Sequence, residues 1–421
     1  MALNSIEETY RARTTKSLAL LKRAAQSLPG GLSRNYGFHP PYPVVHERGE
    51  GPHLWDVDGN RYVDLNYNGL SLIHGHAYRP VVEALERAMP KGWAWLGTQQ
   101  AQIEFAETLC GRIKTAERVL FTNSGTEASM LAVKLTRGFT KRPLILKAHG
   151  GYHGTYSDLE AGLHGQGEIL GHTLLAEFNN ADSFEHVLER HGKDIAAVVL
   201  EPVMYTGVVM PALPGFLDRV QQAANRAGAL FVLDDCLMFR LAPGGSAEKF
   251  GLAPDITFLG KFIGGGLPAG AVAARAEIMD LADPALGSGG VYHGGSFNGN
   301  ALSAVAGRVA IEHLTAASIG AMDRAAQTLK QALEARAKAL GISLYVLDEG
   351  SVMGLYFAET KPKPGAPMPN EELSGRFHLA CLNHGVQTGP GCMIAMATVV
   401  DEAALAAASE GMCQALADIA P

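Results

Sequence analysis

From about Pro80 the chain alternates between short, uninterrupted apolar runs and stretches of helical character, and this alternation limits the folds open to it. RVLFT, PLILKA, AAVVLEP, LFVLDD, DITFLG and AGAVAAR have the length of strands buried on both faces, with no polar side to turn toward water. Segments such as GFLDRVQQAANRAGA lie between them and read as amphipathic helices, this one closing at Gly228. Buried strands separated by helices predict an α/β fold with a mostly parallel sheet covered on both faces.

The flanking segments read differently. A helix is expected from about Ser5 to Gln26, stopped by Pro29-Gly30-Gly31, and HLWDVDGNRYVDL reads as two short strands around an Asp58-Gly59 turn. After about Ala310 come Ala-rich helices and a mixed tail containing ISLYVLDEGSVMGLYFAE, with KPKPGAPMPNEE as an exposed proline-rich loop. The expected plan is a large α/β domain over residues 60–310 and a smaller α+β domain made from residues 1–59 and 311–421 together. With 421 residues, 47% of them hydrophobic, there is core enough for both.

Charge and cysteine usage exclude several function classes. A formal net charge of -7 and the lack of a dense basic cluster argue against a nucleic-acid partner. No run of 18 uncharged apolar residues exists, so no membrane span is expected. Cys110, Cys236, Cys381, Cys392 and Cys413 are scattered without a C-x-x-C pair, which fits neither a disulfide framework nor a zinc site and suits a reducing compartment. The N-terminal segment has acids before its bases and no apolar stretch adequate for a signal peptide, so a cytoplasmic location is expected.

In doubly wound sheets ligands collect beyond the carboxyl ends of the strands, so the polar residues that end these runs are the candidate site. RVLFT leads into NSGTEASMLAVKL, where Ser124 and Glu127 have capping-box spacing; Gly125 and the Ser124 and Thr126 hydroxyls at a helix N-terminus would suit a phosphate, or form an ordinary helix cap. LFVLDD ends in Asp234-Asp235, a costly pair unless a cation or metal meets it or the turn is solvated, and no histidine or third acid lies near in sequence. HGGYHGTY offers Tyr152 and His153 among glycines, suited to lying flat on a planar ligand, and AAVVLEP ends in Glu201. DITFLG runs into Lys261 and then Gly264-Gly265-Gly266, which let another group approach the backbone closely. Lys261 either carries its ammonium out to water or is a desolvated amine used on a carbonyl. Walker A and dinucleotide fingerprints are both missing. A phosphate cup, an aromatic slab, an acid and a carbonyl-seeking lysine are together what pyridoxal phosphate requires.

The motifs PGGLSRN, LWDVDGNRYVDL, FTNSGTEASMLAVKLTRGFT, GGYHG, EPV, VLDDC, APDITFLGKFIGGGLPAGA and GGSFNGN, in this order, resemble those of class III pyridoxal-phosphate aminotransferases of fold type I. The branch holding glutamate-1-semialdehyde aminomutase and the β-phenylalanine-type aminotransferases is the most similar. The resemblance implies Lys261 as the lysine that carries the cofactor, Asp234 as the acid on its ring nitrogen and Tyr152 as the stacking aromatic. It implies Ser124, Gly125 and Thr126 as phosphate ligands, and places His153, Glu201 and Cys236 around the cofactor. Ser296 stands where the family usually has a threonine reaching the neighbouring subunit's phosphate, so a homodimer with shared active sites is implied. Arg34 matches the arginine that binds the substrate carboxylate.

Departures from the family pattern mark this chain. Asp-Glu-Val is here Asp234-Asp235-Cys236, and Met204 and Tyr205 stand where glutamine and glycine are common. Thr206 replaces the glutamate that many relatives pair with a C-terminal arginine, and QTGPGCMIAMAT contains no arginine. The expected activity is amino transfer between a carboxylate-bearing amino acid, a β-amino acid among the candidates, and a 2-oxo acid. An aminomutase, a racemase or a non-catalytic cofactor-binding protein are the alternatives.

Overall fold

The apolar runs become one seven-stranded sheet. The structure, a computed structural model, describes residues 3–162, 171–206, 209–364 and 369–421. In chain order the strands of this sheet are β1 (Arg118–Thr122), β2 (Leu144–Ala148), β3 (Thr173–Ala176), β4 (Ile195–Leu200), β5 (Leu230–Asp234), β6 (Ile256–Leu259) and β7 (Gly270–Ala274). Their spatial order is β1-β7-β6-β5-β4-β2-β3. Only β7 runs antiparallel to its neighbours, pairing Gly270 with Thr122 and Leu259 with Ala271. β4, β5, β6 and β7 are buried at every residue, as continuous apolar runs require when both faces are covered.

Helix α1 (Gly125–Thr140) buries Leu131, Val133 and Leu135 in a core shared with Ile145, Val199, Val232, Phe258 and Val272 of the strands. Helix α2 (Phe216–Ala227) buries Phe216, Leu217, Val220, Ala223 and Ala224, and ends at Gly228, whose φ of 66° is the left-handed cap expected there. β3 is missing from the strands expected above. It is a four-residue edge strand, only half of it buried, and it follows residues outside the described set.

The chain divides into two compact units, one of Arg79–Thr206 with Met210–Ile319, which carries this sheet. The other takes the segment ending at Tyr78, Val209 and Gly320–Pro421. The division falls after Tyr78 rather than near residue 60, for a reason of strand pairing. Arg61–Asp64 pairs antiparallel with His53–Asp56 and parallel with Val386–Gln387, and His76 bridges Gly51. This smaller unit also holds the antiparallel strands Leu344–Glu349, Val352–Phe357 and Met393–Ala395, and the packed helices Glu371–Asn383 and Glu402–Ile419. Part of the proline-rich loop expected at residues 361–372 lies outside the described residues, and its end forms the start of helix Glu371–Asn383.

The single N-terminal helix expected over Ser5–Gln26 is two helices, Leu3–Arg13 and Thr15–Ala24. At the break, the Thr14 hydroxyl donates to the Tyr10 carbonyl. The Asp58 carboxylate, brought in from the hairpin turn, accepts from the backbone N–H groups of Lys16 and Ser17. A cap supplied from 41 residues away leaves no local signal in the sequence.

Candidate functional site

Strand ends in the sheet unit bring several of the expected residues into one neighbourhood. β6 ends at Leu259, and Lys261 follows with φ 54°, a left-handed conformation that costs a non-glycine residue on the order of 1 kcal/mol. Gly260 is required beside it: a Cβ there would sit 2.9 Å from the Gly125 Cα. Of the glycines after Lys261, Gly265 is explained by packing, since a Cβ there would lie 2.4 Å from the Ala306 carbonyl oxygen. The group that approaches this backbone so closely is therefore helix Ala301–His313. The Lys261 amine is 3.2 Å from the Tyr205 hydroxyl, with the Tyr205 ring centroid 5.1 Å away.

The two acids at the end of β5 separate as successive strand residues do, to opposite faces. Asp234 accepts from the backbone N–H of Cys236 at 3.0 Å and from His153 Nδ1 at 2.8 Å. Asp235 turns the other way and accepts from the Ser246 backbone N–H at 2.9 Å. Burial, reinforced by the charge of Asp234 and opposed by the bonds from Ser246, pushes the Asp235 carboxyl up to about 7. Among the described residues no cluster of histidine, cysteine and acids is able to hold a metal.

His153 is fully buried behind Asp234, edge-on to Phe258, with Nε2 unpartnered. Burial holds its imidazole below the usual histidine range, against the opposing pull of Asp234. A neutral ring whose Nδ1 faces a carboxylate carries its hydrogen there and donates it. His153 is thus held behind Asp234, and of the two rings of this loop only that of Tyr152 is partly exposed. The backbone N–H of Tyr152 donates to Glu201 Oε1 at 3.1 Å, and its ring lies edge-on to Tyr205 at 6.1 Å. Burial and then the charge of Asp234 raise the Glu201 carboxyl well above the usual range.

The loop carrying Tyr152 and His153 is fixed by a residue that sequence reasoning passed over. Lys147 interrupts the otherwise apolar strand β2. Its side chain is completely buried, and its ammonium donates to the carbonyls of Gly151, Leu159 and Ala161 at 2.7, 2.8 and 2.8 Å. A charged residue inside an apolar run was the available clue.

At the start of α1, Ser124 accepts from the Glu127 backbone N–H at 3.1 Å. The capping box is displaced by one residue, because the Glu127 carboxylate accepts from the Asn123 N–H at 2.8 Å rather than from that of Ser124. The N–H groups of Gly125 and Thr126 fall in the first turn, where no intrahelical acceptor exists. Thr126 Oγ1 accepts from the Thr155 N–H, and a Cβ at Gly154, φ 99°, would lie 2.7 Å from the Thr126 Cα. Cys236 packs its sulfur between two glycines: a Cβ would approach it to 3.0 Å at Gly125 and 3.2 Å at Gly260. Burial pushes the thiol well up, so Cys236 fills space as a neutral group. These features fit pyridoxal phosphate: free first-turn N–H groups and a glycine-lined cradle for the phosphate, a buried carboxylate backed by a neutral histidine for the ring nitrogen, and an amine for the aldehyde.

Ser296 is exposed, between exposed Tyr292 and Phe297, in a segment tied to α1's entry by a 2.8 Å bond from Asn123 Nδ2 to Asn298 Oδ1. Arg34 belongs to the smaller unit and is exposed. Its Nη2 donates to Asn68 Oδ1 at 2.8 Å. Asn68 sits in a turn where Tyr67, Asn68, Gly69 and Leu70 all have positive φ, a left-handed stretch whose strain marks it as a candidate functional turn.

The family model for aminotransferase class-III matches residues 37–416. A glutamate-1-semialdehyde 2,1-aminomutase from Thermodesulfovibrio yellowstonii is 34% identical over 399 residues, covering 90% of this chain and 92% of that protein. Among solved structures, an omega-transaminase from Sphaerobacter thermophilus superposes with a TM-score of 0.91 at 31% identity, covering 96% of this chain and 97% of that one. A β-phenylalanine aminotransferase from Variovorax paradoxus gives a TM-score of 0.91 at 30% identity, covering 97% and 96%. Likeness that runs the length of the chain in both sequence and backbone leaves one assignment: the chain belongs to the class-III aminotransferases, fold type I enzymes that use pyridoxal phosphate.

Proposed function

We propose that this enzyme moves an amino group from a carboxylate-bearing amino acid, with β-amino acids as the favoured class, to a 2-oxo acid, using Lys261. The observation that carries this reading is the contrast between two lysines of the sheet unit. Lys147 spends its ammonium on three carbonyls, whereas the one hydrogen-bond partner of the Lys261 amine among the described residues is a phenol. An amine so lightly held is free to react.

Pyridoxal phosphate, when bound, supplies the aldehyde that takes up the amino group and a ring that delocalises the electron pair left on the substrate carbon. The chain's own residues do the rest. Lys261 Nζ takes the proton from the substrate carbon, holds it and returns it at the other end of the transfer. Asp234, kept in register by His153, presents a negative charge to the ring nitrogen, and Tyr152 covers the ring. Ser124, Gly125 and Thr126 hold the phosphate at the N-terminus of α1, where the helix dipole favours an anion.

Arg34 is proposed as the anchor for the substrate carboxylate, since a planar guanidinium already oriented by Asn68 suits a two-oxygen ligand. Arg34→Ala is expected to raise KM for carboxylated donors by on the order of ten- to a hundredfold and to leave simple amines such as 1-phenylethylamine almost unaffected. Steady-state kinetics with both donor types checks this, and equal losses would make Arg34 structural. A screen of donors against pyruvate and 2-oxoglutarate tests the reading as a whole. The sequence relatives named as aminomutases favour a second reading, intramolecular amino transfer. An enzyme that rearranges its substrate with no added oxo acid would decide for it.

A cytoplasmic homodimer completes the proposal. All five cysteines are free, which suits a reducing compartment. Trp93, Trp95, Leu96 and Phe297 are exposed, and the bond from Asn300 Nδ2 to the Trp93 carbonyl places the two segments side by side. An apolar patch of this kind on a water-soluble unit calls for a cover, and the exposed Ser296 beside it would then reach the partner's phosphate. Leu96→Asp combined with Phe297→Asp is expected to shift the sedimenting species from twice the chain mass to the 44.6 kDa monomer and to lower cofactor affinity. A dimer that survives both changes would place the interface elsewhere.

A further inference from the structure

We propose that Tyr205 is a catalytic residue of this enzyme, its hydroxyl holding the Lys261 amine in place in both protonation states through which the amine passes. The inference rests on the amino-transfer reading of Lys261 given above.

Geometry comes first. Tyr205 follows Val203–Met204, a short strand paired antiparallel with Met210–Pro211, so its backbone leaves an anchored ribbon just beyond the end of β4. From there its hydroxyl reaches to 3.2 Å from Lys261 Nζ, while its ring stands edge-on to Tyr152. Position 205 thus touches the reacting nitrogen and the aromatic expected to cover the ring. A glycine there would touch neither.

Chemistry then selects the hydroxyl. A lysine that carries a proton between two carbons is an ammonium in one state and a free amine in the other. A carboxylate partner would trap the ammonium, and carbonyl partners serve only a donor, as they do at Lys147. A phenol accepts from the ammonium and donates to the amine, so one contact serves both states by reversing direction. Burial, reinforced by Glu201 and Asp234, pushes the Tyr205 hydroxyl well above its ordinary range, and the phenol keeps its own proton throughout. The proton balance is then simple. The C–H bond of the substrate breaks, Lys261 Nζ gains the proton and later releases it, and Tyr205 ends as it began.

Tyr205→Phe keeps the ring and removes only the hydroxyl. Expected is a fall in kcat of about ten- to a hundredfold with KM within about twofold, since the lost contact acts on the reacting amine and not on substrate binding. A second readout needs no turnover. When the cofactor-free protein is mixed with pyridoxal phosphate, the absorbance that reports attachment to lysine is expected to grow several-fold more slowly in the variant. Tyr205→Gly is expected to show the same kcat loss and, in addition, a lower KM for donors with bulkier side chains. A Tyr205→Phe enzyme with unchanged kcat and unchanged attachment rate overturns the proposal. So does a variant whose loss lies wholly in KM, which would make Tyr205 a space-filling wall. Borohydride labelling separates this failure from failure of the parent reading: a pyridoxyl label still on Lys261 leaves that reading standing, and a label elsewhere removes it.

Discussion

Borohydride reduction of the cofactor-loaded enzyme is expected to place the pyridoxyl label on the peptide containing Lys261, and Lys261→Met is expected to lose the label along with on the order of 10⁴-fold or more in kcat. The size of the effect follows from two roles in one side chain. General base catalysis alone contributes about 10²–10⁴-fold, and covalent retention of the cofactor is lost with it. Two competing lysines are engaged elsewhere. Lys147 has its three N–H bonds committed to carbonyls and is completely buried, and Lys134 lies along α1, its amine 3.4 Å from the Tyr292 carbonyl. The backbone adds a further argument. Lys261 is held at a positive φ between Gly260, which touches α1, and Gly265, which is pressed on helix Ala301–His313. Strain in that conformation persists because packing on both sides over-determines it. Peptide mapping checks the label, and a label on Lys147 or Lys134 would overturn the assignment.

The sheet interior was legible because burial on both faces forces long apolar runs, and its strand-end residues were legible because ligands gather there. Tyr152, the Asp234-Asp235 pair and Lys261 stand out on that ground, and the resemblance alone selects Asp234 from the pair. Contacts between residues distant in the chain were not legible. Asp58 splits the N-terminal helix from the hairpin turn, and His153 meets Asp234 across 81 positions. Neither pair has a spacing rule. The role of Lys147 and the contact made by Tyr205, a residue marked only as a departure, were hidden for another reason: each is defined by the atoms its terminal group reaches, and a sequence records the residue type but not the reach. The strain at Tyr67–Leu70 was likewise invisible, since three of the four residues with positive φ are not glycine.

Asp234→Asn and Asp235→Asn are expected to part company by about thirtyfold or more in kcat, although the residues are neighbours of the same type. Asp234 ends β5 facing His153 and has one oxygen on Nδ1 and the other on the Cys236 N–H. Replacing it with asparagine keeps the shape and some of the hydrogen bonding but removes the charge that supports a protonated ring nitrogen, so cofactor is retained while kcat falls by about 10²–10³-fold. Asp235 lies on the opposite face, buried against Ser246, and Asp235→Asn should leave kcat within about threefold. It should instead change stability, and the sign follows from the direction of the shift. The folded-state value of about 7 lies above that of a free carboxyl, so between about pH 4 and 7 the folded protein holds this proton more tightly than the unfolded chain. The stability that Asp235 contributes is therefore complete below about pH 4 and is lost as pH rises through about 7. Asparagine does not titrate, so the melting temperature of Asp235→Asn is expected to exceed that of the parent by more at pH 8 than at pH 5. Kinetics and melting curves at the two pH values check both halves. A crippled Asp235→Asn beside an active Asp234→Asn would mean that the ring nitrogen is met by the other acid and that the strand register read here is displaced by one residue.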